Sequence, residues 1–196
     1  MKIGVLALQG AFLEHIMVIH RLGIESREVR LPGQLQDLNG LIIPGGESTT
    51  ILKLMYTFEL FHPLKKMIAA GLPVLGTCAG MICLAKKVFN SQESCLDPLA
   101  VMDIEVKRNA FGRQVDSFEE DLEVPVLEPP APFHGIFIRA PSIERVGAEA
   151  EVLARLQDGT IVAARQANLL ATSFHPELTH DPRFHKLFIK MCGIVP

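Results

Sequence analysis

The segment Gly76-Thr77-Cys78-Ala79-Gly80 follows the short apolar run 73–75 and opens the apolar stretch 81–85. That order predicts a strand, a sharp turn and a helix, with Cys78 on the turn, as in the cysteine form of a G-x-S-x-G nucleophile elbow. Glycine suits such a turn because there is little room for Cβ atoms beside the nucleophile. The N-terminus of the helix would favour the thiolate of Cys78. The alternative, which the pentapeptide alone leaves open, is a structural cysteine buried beside a helix start.

Composition narrows the class of protein. The chain has 196 residues, of which 48% are hydrophobic and 21% charged, and this predicts one globular domain over residues 1–196. A net charge of −3 without any basic run gives no sign of a nucleic-acid surface. No apolar run is long enough to cross a membrane, and the N-terminus lacks the pattern of a signal peptide. The four cysteines show no metal-binding spacing. A chain of this size with an ordinary core does not need a disulfide framework, so we expect a cytoplasmic protein.

Strands and helices alternate through the first half. Buried strands are predicted at 2–8 and 40–43, and helices at 11–22, at 64–70 and from the elbow to Lys87. Another helix is predicted to start with Ser48 as its cap. The alternation indicates an α/β fold with a mostly parallel central sheet flanked by helices. Ligand-binding groups should then gather at the carboxyl ends of the strands.

The second half has a different pattern, which predicts additional antiparallel strands. Asp158-Gly159 is typical of a hairpin turn, and Asp181-Pro182 of a helix start, with Asp as cap. A proline-rich loop is predicted to be exposed at 125–132. The predicted strands are 101–107, 114–124, 134–139, 150–156, 160–165 and 169–174.

His175-Pro176-Glu177 ends the last predicted strand. Residues two apart in an extended chain project to the same side, so the carboxylate of Glu177 would orient the imidazole of His175, as the third member of a triad does. Alone, the pair is more typical of a surface contact. Together with a cysteine elbow at the same edge of the sheet it predicts a Cys-His-Glu triad.

Pro44-Gly45-Gly46-Glu47-Ser48 follows another strand and could supply the donors that a tetrahedral oxyanion needs. Glycines let the backbone approach a ligand and turn N–H groups toward it. The N–H groups of Gly46 and Ala79 are the predicted oxyanion donors. A plain strand-to-helix turn with Ser48 as cap is compatible with that role.

Three motifs together resemble class I, or triad, glutamine amidotransferases: Gly-Thr-Cys-Ala-Gly at 76–80, Pro-Gly-Gly-Glu-Ser at 44–48 and His-Pro-Glu at 175–177. Two further segments, Arg-Asn-Ala-Phe-Gly-Arg-Gln at 108–114 and Ile-Arg-Ala-Pro at 138–141, resemble the glutaminase subunits of pyridoxal 5′-phosphate synthase, the PdxT/SNO family. The resemblance covers essentially the whole chain. It implies a class I glutamine amidotransferase fold, which is flavodoxin-like.

The resemblance also implies roles for single residues. Cys78 would be the nucleophile, His175 the base and then the acid, and Glu177 its orienting partner. Arginine can hold the α-carboxylate of a substrate bidentately, although from the residues alone Arg139 is typical of a surface salt bridge and Arg108 of a solvated strand end. The residues implied to bind glutamine are Gly46, Glu47, Ser48, Arg108, Ile138 and Arg139.

The activity that the resemblance implies is hydrolysis of L-glutamine to glutamate and ammonia. The ammonia would pass to a (β/α)₈ synthase subunit, bound as a hetero-oligomer, that builds pyridoxal 5′-phosphate. The vitamer would be the product of that complex, so the chain itself would need no cofactor and no metal. No nucleic acid or membrane is implied as a partner.

Two other functions are compatible with parts of the pattern. A glutaminase serving another synthase, such as the imidazole-glycerol-phosphate one, would share the triad but should lack the 108–114 segment. A non-catalytic regulatory protein on the same fold would be expected to lose the cysteine or the histidine-acid pair, and this chain keeps all three.

Overall fold

A computed structural model of the chain describes residues 2–89, 96–111 and 117–193. The α-helices are α1 (Phe12–Arg21), α2 (Ser48–Thr57), α3 (Phe61–Ala69), α4 (Ala79–Leu84) and α5 (Arg183–Met191), and 3-10 turns lie at Pro32–Leu35 and Pro176–Leu178. The strands are β1 (Lys2–Leu6), β2 (Glu25–Val29), β3 (Gly40–Ile43), β4 (Val74–Thr77), β5 (Ala85–Phe89), β6 (Met102–Lys107), β7 (Ser117–Leu122), β8 (Phe133–Ile138), β9 (Ser142–Val146), β10 (Glu151–Arg155), β11 (Ile161–Gln166) and β12 (Leu169–Thr172).

The described strands form one large sheet and one hairpin. The large sheet has the order β2-β1-β3-β4-β12-β11-β9-β6-β5, with β10 paired to β11, and β7 pairs with β8 separately. Strands β2, β1, β3, β4 and β12 are parallel, whereas β11 runs antiparallel to both of its path neighbours. The predicted α/β fold with a mostly parallel central sheet and added antiparallel strands is confirmed.

The central strands of the large sheet are buried on both faces. Successive residues of a strand point to opposite faces, so Leu41 and Ile43 join one apolar cluster while Ile42 joins the other. The first cluster contains residues of α2, α3 and α4, and the second contains residues of α1, α5 and the β7–β8 hairpin. This double burial explains why the parallel strands β1, β3, β4 and β12 are largely apolar runs in the sequence.

The elbow helix is shorter than predicted. Helix α4 ends at Leu84, and Ala85 begins β5, which pairs in parallel with β6. Pairing with a strand distant in sequence therefore overrides the helical propensity of Ala85, Lys86 and Lys87. Strand β9 is absent from the predicted elements, and it is held between β6 and β11.

Both predicted helix caps are displaced. Glu47, not Ser48, is the N-cap of α2, and its carboxylate accepts a hydrogen bond from the Thr49 N–H. At α5 the N-cap position is Pro182, although the Asp181 carboxylate accepts from the Arg183 N–H at 2.9 Å, as a capping acid would. Ser48 is the first helical residue and is buried.

Arg183 secures the proline-rich loop 125–132, which is mostly exposed as predicted. Its guanidinium donates to the carbonyl oxygens of Pro129, Ala131 and Pro132 at 2.7–2.8 Å and to the carboxylate of Asp181. The Arg183 side chain is buried. Charge-assisted bonds to several carbonyls make this guanidinium the anchor between the loop and the start of α5.

We expect Arg183→Met to lower the free energy of unfolding by about 3 to 5 kcal/mol, because the substitution removes the guanidinium donors of the loop carbonyls and the charge partner of Asp181. Denaturant unfolding measures the loss. Arg145→Met is the matched control, since Arg145 forms an exposed ion pair with Glu105 at 2.8 Å and should cost less than about 1 kcal/mol. Equal losses for the two variants would contradict an anchoring role.

Candidate active site

The candidate residues gather at one edge of the sheet. Gln9 follows β1, Gly45 follows β3, Cys78 follows β4 and His175 follows β12. These four strands are parallel neighbours, so their carboxyl ends meet at the same edge. A direct link confirms the proximity, since the Glu47 N–H donates to the Gln9 side-chain oxygen at 2.7 Å.

Cys78 lies on a sharply bent backbone. Its φ is 49° and its ψ is −103°, and α4 starts at the next residue. A Cβ on Gly80 would lie 2.0 Å from the Ile43 carbonyl oxygen, and one on Gly76 would lie 2.7 Å from the carbonyl of Gly80. The glycines of the motif are therefore required by close backbone approach, as the sequence predicted. A strained backbone at a nucleophile is the geometry of the elbow.

His175 and Glu177 form a buried pair. The Nδ1 of His175 lies 2.7 Å from Oε1 of Glu177, and both side chains are almost entirely excluded from solvent. The pairing was predicted from an extended chain, but the structure forms it through the 3-10 turn Pro176–Leu178. The backbone N–H of His175 donates to the Ile136 carbonyl at 2.9 Å, which ties this turn to β8.

Electrostatic interactions favour the ionised forms of both His175 and Glu177. Burial alone would lower the pKa of His175, but its hydrogen bonds to Cys78 and Glu177 outweigh burial and raise that pKa to about 10. Burial opposes ionisation of Glu177 as well, yet the nearby His15 and the bonded His175 hold its pKa below the usual value. A protonated imidazole in this position could later give its proton to a leaving group.

The glycine segment after β3 lies against this pair. A Cβ on Gly45 would be 2.4 Å from Cε1 of His175 and 3.4 Å from Cβ of Cys78. The Gly45 carbonyl accepts a hydrogen bond from the Ala11 N–H at 3.0 Å. Because the C=O and N–H of a trans peptide point in opposite directions, the Gly46 N–H points away from Ala11. The other predicted donor, Ala79, is the first residue of α4, so its N–H has no acceptor within the helix.

Arg108 and Glu47 meet beside the elbow. The guanidinium of Arg108 donates to the Glu47 carboxylate at 2.7 Å and to the Thr49 hydroxyl at 3.0 Å. A cleft of about 240 Å³ opens here, and its lining includes Ser48 and Arg108. Arg108 is thus more enclosed than the solvated strand end that its residues alone indicate.

Ile138 and Arg139 border the cysteine from β8. The Cys78 sulfur lies 3.9 Å from the Ile138 carbonyl oxygen. Arg139 has a φ of 43°, a left-handed conformation that is uncommon for a residue with a Cβ, and its side chain is exposed. The structure thus brings the Ile138 backbone to the nucleophile, and Arg139 is the next residue along the chain. Residues 112–116, which belong in part to the 108–114 segment, lie outside the described residues.

The other cysteines differ from Cys78. Burial raises the pKa of Cys83 to about 12 and that of Cys192 to about 12. Cys83 is therefore packed rather than reactive. Cys95 lies outside the described residues.

A set of buried polar residues behind the pair is not among the residues predicted from the sequence: His15, His185 and Thr77, all with no exposed surface. A signal for the histidines was present. His15 falls on the same helical face as the apolar Ile19, and His185 lies beside Phe184 on the apolar face of α5. A histidine on an otherwise apolar helix face is a candidate for a buried polar contact.

Similarity to known proteins agrees with this geometry. The chain is 58% identical to pyridoxal 5′-phosphate synthase subunit PdxT of Herpetosiphon aurantiacus, over 96% of this chain and 99% of that one. It is 60% identical to the PdxT subunit of Dehalococcoides mccartyi, over 97% of each chain. A crystal structure of a glutamine amidotransferase superposes with a TM-score of 0.91 at 51% identity, covering 98% of this chain and 99% of that one. The pattern of the SNO glutamine amidotransferase family matches residues 5–194, and the chain belongs to that family.

Proposed function

We propose that Cys78, His175 and Glu177 hydrolyse L-glutamine, as nucleophile, acid–base and orienting carboxylate. The chain is the glutaminase subunit of a pyridoxal 5′-phosphate synthase, in keeping with its near-full-length identity to PdxT subunits. The observation that carries the residue roles is the buried His175–Glu177 pair, which lies with Cys78 against Gly45, the cysteine being on a strained elbow. We further propose that residues 1–196 form one glutaminase domain and that the protein works in the cytoplasm. None of the helices in the described ranges is long and apolar enough to cross a membrane.

The reaction proceeds in two steps. The Cys78 thiolate attacks the side-chain amide carbon of glutamine, and the C–N bond breaks as His175 gives its proton to the departing ammonia. A γ-glutamyl thioester on Cys78 remains. His175, now neutral, takes a proton from water, and the hydroxide attacks the thioester to release glutamate and the thiolate. Glu177 stays ionised throughout and stabilises the imidazolium.

The surrounding groups bind the substrate and its oxyanion. The N–H groups of Gly46 and Ala79 are the proposed oxyanion donors, and each such donor is worth about 3 to 4 kcal/mol of transition-state stabilisation. The proposed glutamine contacts are Gly46, Glu47, Ser48, Arg108, Ile138 and Arg139. Arg108 and Glu47 form an ion pair. In the proposed complex the Arg108 guanidinium binds the α-carboxylate of glutamine, and the Glu47 carboxylate binds its α-ammonium.

Ammonia transfer explains the need for a partner. Ammonia is mostly ammonium at neutral pH, and ammonium is not a nucleophile, so the synthase subunit must receive it shielded from water. The family assignment sets aside a glutaminase of imidazole-glycerol-phosphate synthase. Retention of cysteine, histidine and acid argues against a non-catalytic regulator.

The assay that tests this function measures glutaminase turnover with and without the synthase subunit. We expect the synthase to raise kcat at least about tenfold, since docking near Gln9 and Gly45 can favour the Gly45–Gly46 peptide orientation that presents an N–H to the oxyanion. Full turnover by the isolated chain would contradict this activation and leave the Cys78 chemistry standing.

Gly46→Ala should blunt the activation by the synthase. The added Cβ would lie 2.4 Å from the Gln9 side-chain oxygen, so the segment that must reorient becomes crowded and restricted. The ratio of kcat with and without synthase is the measurement. Gly33→Ala is the control, because a Cβ there meets nothing within 4 Å. An unchanged ratio in Gly46→Ala would remove this segment from the activation mechanism.

Arg139→Ala should raise the KM for glutamine about 10- to 100-fold with a small effect on kcat. The reason is loss of a charge-assisted contact to the α-carboxylate, worth roughly 1.5 to 3 kcal/mol. Steady-state kinetics of the complex measure the change. An unchanged KM with weaker synthase binding would instead place Arg139 at the subunit interface.

A further inference from the structure

Buried polar groups extend behind the triad acid. Nε2 of His15 lies 3.4 Å from Oε2 of Glu177 and 3.2 Å from the hydroxyl oxygen of Thr77. Nδ1 of His15 lies 2.9 Å from Nε2 of His185. The chain of contacts therefore runs from Cys78 through His175 and Glu177 to His15 and His185, and it joins α1, β4 and α5.

Core packing alone does not explain why positions 15 and 185 carry histidines. Both have no exposed surface, and the helix faces that carry them otherwise supply apolar residues such as Ile19 and Phe188 to the core. Burying an imidazole costs free energy unless it is hydrogen-bonded. A leucine or phenylalanine would satisfy packing alone, so the two polar rings are accounted for by their mutual contact and by Glu177.

The contacts select one tautomer of His15. Burial lowers the pKa of His15, and it lowers that of His185 to about 3, so both rings are neutral and each carries one N–H. With the His15 proton on Nδ1, the lone pair of Nε2 would face the Glu177 carboxylate, which is repulsive. With the proton on Nε2, the N–H faces Oε2, and Nδ1 accepts from the Nε2–H of His185. In the second arrangement the Nε2–H of His15 lies between the Thr77 hydroxyl oxygen at 3.2 Å and Oε2 of Glu177 at 3.4 Å. Among the described residues, Oε2 of Glu177 and Nδ1 of His185 are the buried side-chain atoms without a hydrogen bond of ordinary geometry.

We propose that His15 is a positioning residue for the triad: its Nε2–H, fixed by His185, holds the second oxygen of Glu177 so that the first stays directed at Nδ1 of His175. The proposal rests on the function proposed above. Oε1 of Glu177 is already bonded to His175, and within the described residues Oε2 has no hydrogen bond of ordinary geometry. Without the facing N–H the carboxylate could rotate, and the imidazole would lose its orientation.

A neutral donor suits this position better than a cation. A lysine or arginine beside Glu177 would stabilise the carboxylate but would also compete with the His175 imidazolium for its charge. A neutral imidazole orients the carboxylate and leaves its charge available to His175. The same N–H lies within reach of Thr77, the residue before the nucleophile, so one ring contacts the acid and the strand end that carries Cys78.

The kinetic test compares two substitutions in the complex with the synthase subunit. His15→Phe keeps the ring volume and removes the N–H, and we expect kcat to fall about tenfold with the KM for glutamine changed less than twofold. His15→Gln places an amide N–H close to the position of Nε2 and should recover most of kcat. His20→Gln is the control on the same helix, because His20 is exposed and contacts Ser26 instead.

Wild-type kcat in His15→Phe would overturn the proposal. An equal fall in both His15 variants would overturn it too, because the loss would then reflect packing rather than the N–H.

A second measurement needs no variant. Long-range ¹⁵N–¹H correlation spectra of the intact chain report the tautomer of each histidine, and we expect His15 to be neutral and protonated on Nε2 at pH 7. A neutral His15 protonated on Nδ1, or a doubly protonated ring, would overturn the proposal even if the variants failed to fold. Glutamine turnover of the wild-type complex is measured in parallel, so a failure of the proposed function is distinguished from a failure of the tautomer assignment.

Discussion

Cys78→Ala should fold normally and lose glutaminase activity by at least about four orders of magnitude, the range seen when a triad nucleophile is removed. No other described group at the strand edge can form the thioester, since burial raises the pKa of Cys83 to about 12. Glutamate release by the complex is the measurement. Synthesis of pyridoxal 5′-phosphate from added ammonium salts should continue, because only the ammonia source is lost.

Cys83→Ala is the matched control for the nucleophile. Cys83 lies in the same helix as the elbow and has no exposed surface. Its removal should leave kcat unchanged and cost about 1 kcal/mol of stability through lost packing. Glutamine turnover that survives in Cys78→Ala but disappears in Cys83→Ala would reverse the assignment.

His175→Asn should reduce kcat as far as Cys78→Ala does, because no nearby group could then protonate the leaving ammonia or activate water. Glu177→Gln should retain about 10- to 100-fold more activity, since the acid orients and stabilises the imidazole without taking the proton. Single-turnover and steady-state glutaminase assays of the three variants give the ranking. Wild-type activity in Glu177→Gln would exclude Glu177 from the triad.

The central strands and the elbow could be predicted from the sequence because each is specified by a local sequence pattern. Strands β1, β3 and β4 are buried on both faces and therefore appear as unbroken apolar runs. Gly76 and Gly80 identify the elbow because backbone atoms lie where their Cβ atoms would be. By contrast, β5 and β9 depend on pairing with β6, which no local pattern specifies.

The gathering of the candidate site residues could also be predicted from the sequence. Cys78, His175 and Glu177 belong to short motifs at strand ends, so the rule for parallel sheets places them together. The conformations of those motifs were less predictable: the His175–Glu177 contact needs a 3-10 turn, and Glu47 replaces Ser48 as the cap of α2.

The buried extension to His15 could not be predicted because it joins distant parts of the chain. His15 meets Thr77 and His185 only after α1 and α5 pack on the same face of the sheet. In the sequence each histidine is one polar residue on an apolar helix face. Such a residue signals a buried contact without naming its partner.

The most direct test of the account is to trap the covalent intermediate. The complex is mixed with radiolabelled glutamine, quenched in acid within one turnover, and the digested chain is mapped by mass. We expect a γ-glutamyl thioester on the peptide that carries Cys78, cleaved by hydroxylamine and absent from Cys78→Ala. A label on any other residue, or glutamate formation at the full rate by Cys78→Ala, would contradict it.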